Sequence, residues 1–188
     1  MGNNLKETYL VVDADSLIYS SVTCSKEEDP ECYVRDIGVA IAKLDEKVQG
    51  IINTIWENES INITSVCLIV GGEDNFRRIL FPSYKANRPP SPPLRTFLTS
   101  YVESSYNGFK SHGVEADDVI YATHEKLKAE GKNVIIAALD KDLKQIPNCY
   151  FFDYYYQRMN LEFIDAKTAR YNFYSQLLIG DAGDAIVG

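Results

Sequence analysis

The sequence predicts an α/β domain built on a central, mostly parallel sheet flanked by helices. Three observations predict it. Short apolar runs rich in β-branched residues, Tyr9–Val12, Ser65–Val70 and Asn133–Leu139, have the length and composition of buried strands. The stretches between them repeat apolar residues at helical spacing. The resulting order of strand, helix, strand, helix, strand is the pattern of parallel pairing through crossover helices.

Each element has its own justification. Tyr9–Val12 opens the sheet and runs into Asp13 and Asp15. Ile37, Ile41, Leu44, Val48, Ile52 and Ile55 then form the apolar stripe of a long amphipathic helix leading to the second strand. After that strand the segment "FPSYKANRPPSPPLRTFLTSYVESSYNG" interrupts the alternation. It begins as an irregular proline-rich stretch. Ser91 then offers an N-cap and Pro92 the first helical position, before the stripe Leu94, Phe97, Leu98, Tyr101 and Val102 and a stop at Asn107-Gly108. Ala116, Val119, Ile120, Thr123 and Leu127 form the next helix, closed by Gly131 ahead of the third strand. A further extended stretch lies near Tyr150–Asp153. A last helix runs from the N-cap Asp165 to about Ile179, with Ala169, Phe173 and Leu177 expected on its inner face.

At 188 residues, 45% hydrophobic and 12% aromatic, the chain can bury the core of one domain spanning 1–188. No run of about 18 apolar residues is present, and the N-terminus lacks a charged segment followed by an apolar one, so a cytoplasmic protein without membrane contact is expected. Cys24, Cys32, Cys67 and Cys149 form no CxxC pair and read as reduced structural cysteines. A net charge of −8 argues at first against nucleic acid. Its distribution reverses that. Between Asn75 and Val102 there is no acid, while Arg77, Arg78, Lys85, Arg88 and Arg95 are all basic.

The acids gather where strands end. Asp13 and Asp15 follow the first strand, Glu73 and Asp74 the second, Asp140 and Asp142 the third. Glu115, Asp117 and Asp118 open a helix, where its dipole favours negative charge. Asp181 and Asp184 lie beyond the last helix. In an open parallel sheet ligands bind outside the carboxyl ends of the strands. Each like-charged pair at about 4 Å costs on the order of 4 kcal/mol at an effective dielectric near 20, so the cluster requires cations. Hard oxygen donors without histidine select Mg²⁺ or Mn²⁺, and so many acids suggest two ions, the arrangement that serves in-line phosphoryl displacement.

The motifs "VVDADSLIY", "FPSYKANR", "GVEADDVI", "ALDKDLKQIP" and "GDAGDAIVG" together resemble those of the structure-specific five-prime nucleases: flap endonucleases, polymerase-associated five-prime exonuclease domains and phage-type 5′–3′ exonucleases. The resemblance implies a PIN-like, flap-endonuclease fold with a basic, arch-like insertion around 77–111. It implies Asp13, Glu115 and Asp117 at a first metal, joined by an acid from the second strand. That acid is expected at Glu73, since Gly72 stands near the family's aspartate. Asp118, Asp140, Asp142, Asp181 and Asp184 would serve the second metal or water bridged to it. Lys85 and Arg88 would contact the scissile phosphate, Tyr84 would sit where the unpaired end enters, and Asp15 would be a tolerated cap or a residue that supports the ligands from behind.

The implied partner is DNA with a free 5′ end or flap, with RNA–DNA hybrids as an extension. The chain ends where the family's helix-hairpin-helix begins, so a second chain supplying that region is one expectation, and a split or non-catalytic DNA-binding fragment another. A haloacid-dehalogenase-type phosphatase is the alternative enzyme, because "DADS" and "GDAGD" also suit that chemistry, with Asp15 then indispensable. His112 reads as a surface loop residue, Trp56 as core or rim, and of Arg77 and Arg78 one is expected at DNA.

Overall fold

The computed structural model describes residues 7–23, 33–82, 84–85, 90–155, 158–181 and 186–187. The expected α/β architecture is present. In chain order the elements are β1 (Thr8–Asp13), α1 (Asp15–Val22), α2 (Ile37–Glu59), β2 (Ser65–Val70), α3 (Phe76–Leu80), α4 (Arg95–Ser105), β3 (Phe109–Lys110), α5 (Ala116–Ala129) and β4 (Asn133–Ala138). A 3-10 helix, Lys141–Gln145, then leads to β5 (Cys149–Asp153), β6 (Asn160–Ile164), α6 (Ala166–Ile179), β7 (Gly180–Asp181) and β8 (Ile186–Val187).

Six strands form one sheet in the order β3-β2-β1-β4-β5-β6, parallel except for β6. β7 and β8 pair separately as an antiparallel ribbon. β1 lies at the centre, pairing Val12 with Leu68 on one side and with Ala137 on the other. The chain leaves β1 toward β2 and β3, then returns to β4 on the opposite side. That reversal is a topological switch point, where a crevice opens beyond the carboxyl ends of β1 and β4.

Both faces of the sheet are dry, which is why the central strands read as continuous apolar runs. Leu10, Val12, Leu68, Val70, Ile135, Ala137 and Phe152 face α1, α2 and α4; Val11, Ile69, Val134, Ile136, Ala138 and Phe151 face α5. Asp36 caps α2 by accepting the Val39 amide at 3.0 Å, and Ser60 ends that helix in the left-handed region at φ 55°. No helix among the described residues is long and apolar enough to cross a membrane.

Two local expectations fail for physical reasons. Ser91 does not cap α4, which starts at Arg95 behind Leu94. Pro93 disfavours helical geometry at Pro92, so the chain makes a turn first, with the Arg95 amide donating to the Pro92 carbonyl at 3.0 Å. In α6 only Ala169 is buried, whereas Phe173 and Leu177 are exposed. That helix meets the core through a small residue and through polar contacts to the 3-10 segment, such as Asn172 Nδ2 to the Lys144 carbonyl at 2.9 Å. Trp56 lies on the rim, more than half exposed. Cys67 and Cys149 are free thiols; Cys24 and Cys32 lie outside the described residues.

Candidate functional site

At the switch point a cavity of about 320 Å³ is lined by Asp13, Asp15, Glu115, Asp117 and Asp140, together with Arg78, Lys85 and Arg95. Four backbone elements aim these acids, Asp15 being the first residue of α1. Asp13 is the last residue of β1 and is buried. The Tyr154 hydroxyl donates to its carbonyl at 2.9 Å, tying the exit of β1 to the segment after β5. Glu115 is the N-cap of α5 and Asp117 stands in its first turn. Asp140 caps the 3-10 helix, accepting the Asp142 amide at 2.9 Å.

The electrostatics are those of crowded anions. Burial, followed by the charges of Asp15, Asp117 and Asp140, pushes the Asp13 carboxyl up to about 8. Asp117 rises to about 7 through burial, then the charges of Asp140 and Glu115, against the opposing pull of Lys85; Asp142 adds to the rise. Glu115 is where the basic segment answers. It accepts Lys85 Nζ at 2.8 Å, the Tyr84 hydroxyl at 3.0 Å and Asn75 Nδ2 at 3.3 Å. Hard oxygen donors crowded in one cavity, with Asp13 and Asp117 held above the usual carboxylate range first by burial and then by neighbouring acids, suit a divalent cation. Among the described residues, however, no three acids are drawn into a single coordination sphere.

The remaining expected residues fall in several places. Asp118 points away from the cavity. It forms a two-pronged pair with Arg77, at 2.7 and 3.0 Å, and accepts the Glu115 amide at 3.0 Å, completing a capping box; the pair with Arg77 holds its carboxyl below the usual range. Arg77 is thereby committed to Asp118, and Arg78 is the one that lines the cavity. Asp142 lines a neighbouring depression with Lys144 and Gln145 while its charge reaches Asp117. Glu73 is exposed on a bend and borders an outer compartment of about 970 Å³ with Tyr84, Lys85 and Arg95, not the acid cavity itself. Asp181 lies on the backbone of β7; Arg88 and Asp184 lie outside the described residues. His112 is a surface residue, with Nδ1 3.8 Å from Asp74 Oδ2.

One strand-end acid escaped the sequence reading. Asp153 ends β5 on the same edge, but it is buried on Arg158 Nε at 2.8 Å and on the Tyr155 amide at 3.0 Å, a structural role. The signal was present in "YFFD", an apolar strand ending in an acid.

Known proteins share this fold. The family described as 5′-3′ exonuclease, N-terminal resolvase-like domain matches residues 8–173. The 5′-3′ exonuclease of Buchnera aphidicola subsp. Schizaphis graminum is 26% identical over 151 residues, covering 75% of this chain and 49% of that protein. The flap endonuclease Xni of Shewanella sediminis is 34% identical over 137 residues, 66% of this chain and 53% of that protein. The chain thus spans about half the length of these two relatives. In fold it is similar to the T5 5′-exonuclease solved with bound divalent zinc ions, at TM-score 0.66 and 16% identity, covering 97% of this chain and 70% of that one. The catalytic core of Rad2 in complex with DNA substrate is similar at TM-score 0.54 and 14% identity, over 97% of this chain and 57% of that one.

Proposed function

This chain belongs to the family of 5′-3′ exonuclease N-terminal resolvase-like domains, and we propose that it is a divalent-metal-dependent phosphodiester hydrolase acting near the 5′ ends of DNA, as an exonuclease or flap endonuclease. The observation that carries the reading is the single cavity in which Asp13, Glu115, Asp117 and Asp140 face Arg78, Lys85 and Arg95. Acids there suit cations, and the bases beside them suit phosphate.

Asp13, Glu115, Asp117 and Asp140 are the residues we assign to holding Mg²⁺ or Mn²⁺, as two ions, with Asp142, Asp181 and Asp184 assigned to the outer side of the second. A bound ion supplies positive charge to the scissile phosphate and lowers the pKa of water. The protein's own residues do the rest. In the free protein the Lys85 ammonium is paired with Glu115; on binding substrate it exchanges that carboxylate for a phosphate oxygen. Arg88, three residues on, is assigned to the same phosphate. A guanidinium there neutralises charge that develops as the bond breaks. Tyr84, against whose ring the Lys85 ammonium lies at 4.9 Å, presents an aromatic face on which an unpaired base can stack. Asp13, at the end of β1, and Asp117, in the first turn of α5, would hold the cation from rigid elements.

The test is cleavage of an end-labelled 5′-flap DNA, and of the same flap in an RNA–DNA hybrid, with and without Mg²⁺. Wild type should cut at least about a hundredfold faster than an Asp140→Ala, Asp142→Ala double variant. Equal rates would remove the nuclease reading for this chain.

A further inference from the structure

We infer that Asp15, at the exit of β1, supplies the metal-directed carboxylate that the exit of β2 does not; the inference rests on the metal-dependent reading above. The sequence pointed to Glu73 for that role and to Asp15 as a tolerated cap or a support behind the ligands. The geometry points the other way.

β2 is followed by Gly71 and Gly72, and neither position has room for a side chain. A Cβ at Gly72 would collide with the backbone carbonyl of Ser111. A Cβ at Gly71 would come within 2.6 Å of Asp15 Oδ2. The first contact keeps the strand end bare. The second shows what fills the space. The Asp15 carboxylate occupies the volume into which a side chain at position 71 would project, although it reaches there from the first residue of α1, 56 residues away in sequence.

Asp15 is held in that position. Its Oδ2 accepts the Gly71 amide at 3.1 Å, and its Oδ1 accepts Arg95 Nη2 at 2.9 Å. The same guanidinium nitrogen donates to the Gly71 carbonyl at 3.0 Å, so Arg95 ties the two strand exits together. A carboxylate offers about four acceptor sites, and two remain after these bonds. Asp15 lines the acid cavity beside Asp13, and its own amide reaches Asp13 Oδ1 at 3.3 Å. Glu73 borders only the outer compartment, and the Asp74 side chain is 62% exposed beside His112.

The test is Mn²⁺ titration of the full chain without DNA, followed by calorimetry, with folding verified by thermal melting in chelator. Asp15→Asn should weaken Mn²⁺ binding by about tenfold or more, whereas Glu73→Gln should leave it within about twofold of wild type. Moving the carboxylate in the double variant Asp15→Gly, Gly71→Asp should recover most of the lost affinity. A metal-free readout checks the shared volume independently: Gly71→Asp alone should lower the melting temperature, and adding Asp15→Gly should relieve that loss. Wild-type affinity in Asp15→Asn, or a tenfold loss in Glu73→Gln, would overturn the inference while leaving a metal site in place. Absence of Mn²⁺ binding by wild type itself would instead remove the metal-dependent reading and this inference with it.

Discussion

Replacing Asp13 by asparagine should make the metal-free protein more stable at pH 8. Asp13 is buried at the end of β1 and its carboxyl is raised from 3.8 to about 8, first by burial and then by the charges of Asp15, Asp117 and Asp140. The folded state therefore binds more protons than the unfolded chain between about pH 4 and pH 8, so stability falls as pH rises through that window. The span of about four pKa units sets a ceiling of about 5 kcal/mol at pH 8. Asparagine keeps the volume and removes the charge, but it leaves a buried amide to be satisfied, so a net gain on the order of 2 kcal/mol is expected. For a chain of this size that is roughly 4–8 °C in melting temperature. Scanning calorimetry in chelator should find the variant above wild type at pH 8, and the gap should narrow at pH 5, where folded wild type already carries the proton. A variant no more stable than wild type at pH 8 would refute the view that the cavity is an electrostatically strained anion site.

Two further substitutions probe the same edge. Gly72→Ala should cost roughly 1–3 kcal/mol in urea unfolding, because the added methyl meets the Ser111 backbone, whose side-chain hydroxyl also accepts the Gly72 amide at 2.8 Å. Lys85→Met should move two quantities in opposite directions. Mn²⁺ affinity should rise severalfold as the ammonium 2.8 Å from Glu115 is removed, while flap cleavage should drop by about ten- to a hundredfold; a parallel fall in both would mark Lys85 as a structural strut.

The central strands were legible because they are covered on both faces and therefore read as uninterrupted apolar runs. What escaped was short or half-exposed. β3 is two residues long, and β6, "NLEFI", is an antiparallel edge strand with mixed burial. α1 begins behind Ala14, which makes no side-chain cap, so nothing local announced it. Of the site, acids at the ends of rigid elements could be placed on one edge from sequence, because a parallel topology alone dictates which end they occupy. Their partners could not. Asp118 is drawn off by Arg77, 41 residues earlier, and Asp15 is positioned by backbone 56 residues later. Such pairings depend on side-chain reach across the crevice, which no local pattern encodes.

The central position of β1 has a consequence for how this protein comes to exist as a working object. Its cavity draws on residues from position 13 to position 140: β1, the exit of β2 and α5 supply most of the lining, and the turn after β4, on the other flank of β1, adds Leu139 and Asp140. The lining is therefore complete only when β1 has partners on both flanks. A chain cut before β4 would keep Asp13, Glu115 and Asp117 but lose Asp140, one of the four acids proposed to hold the cation.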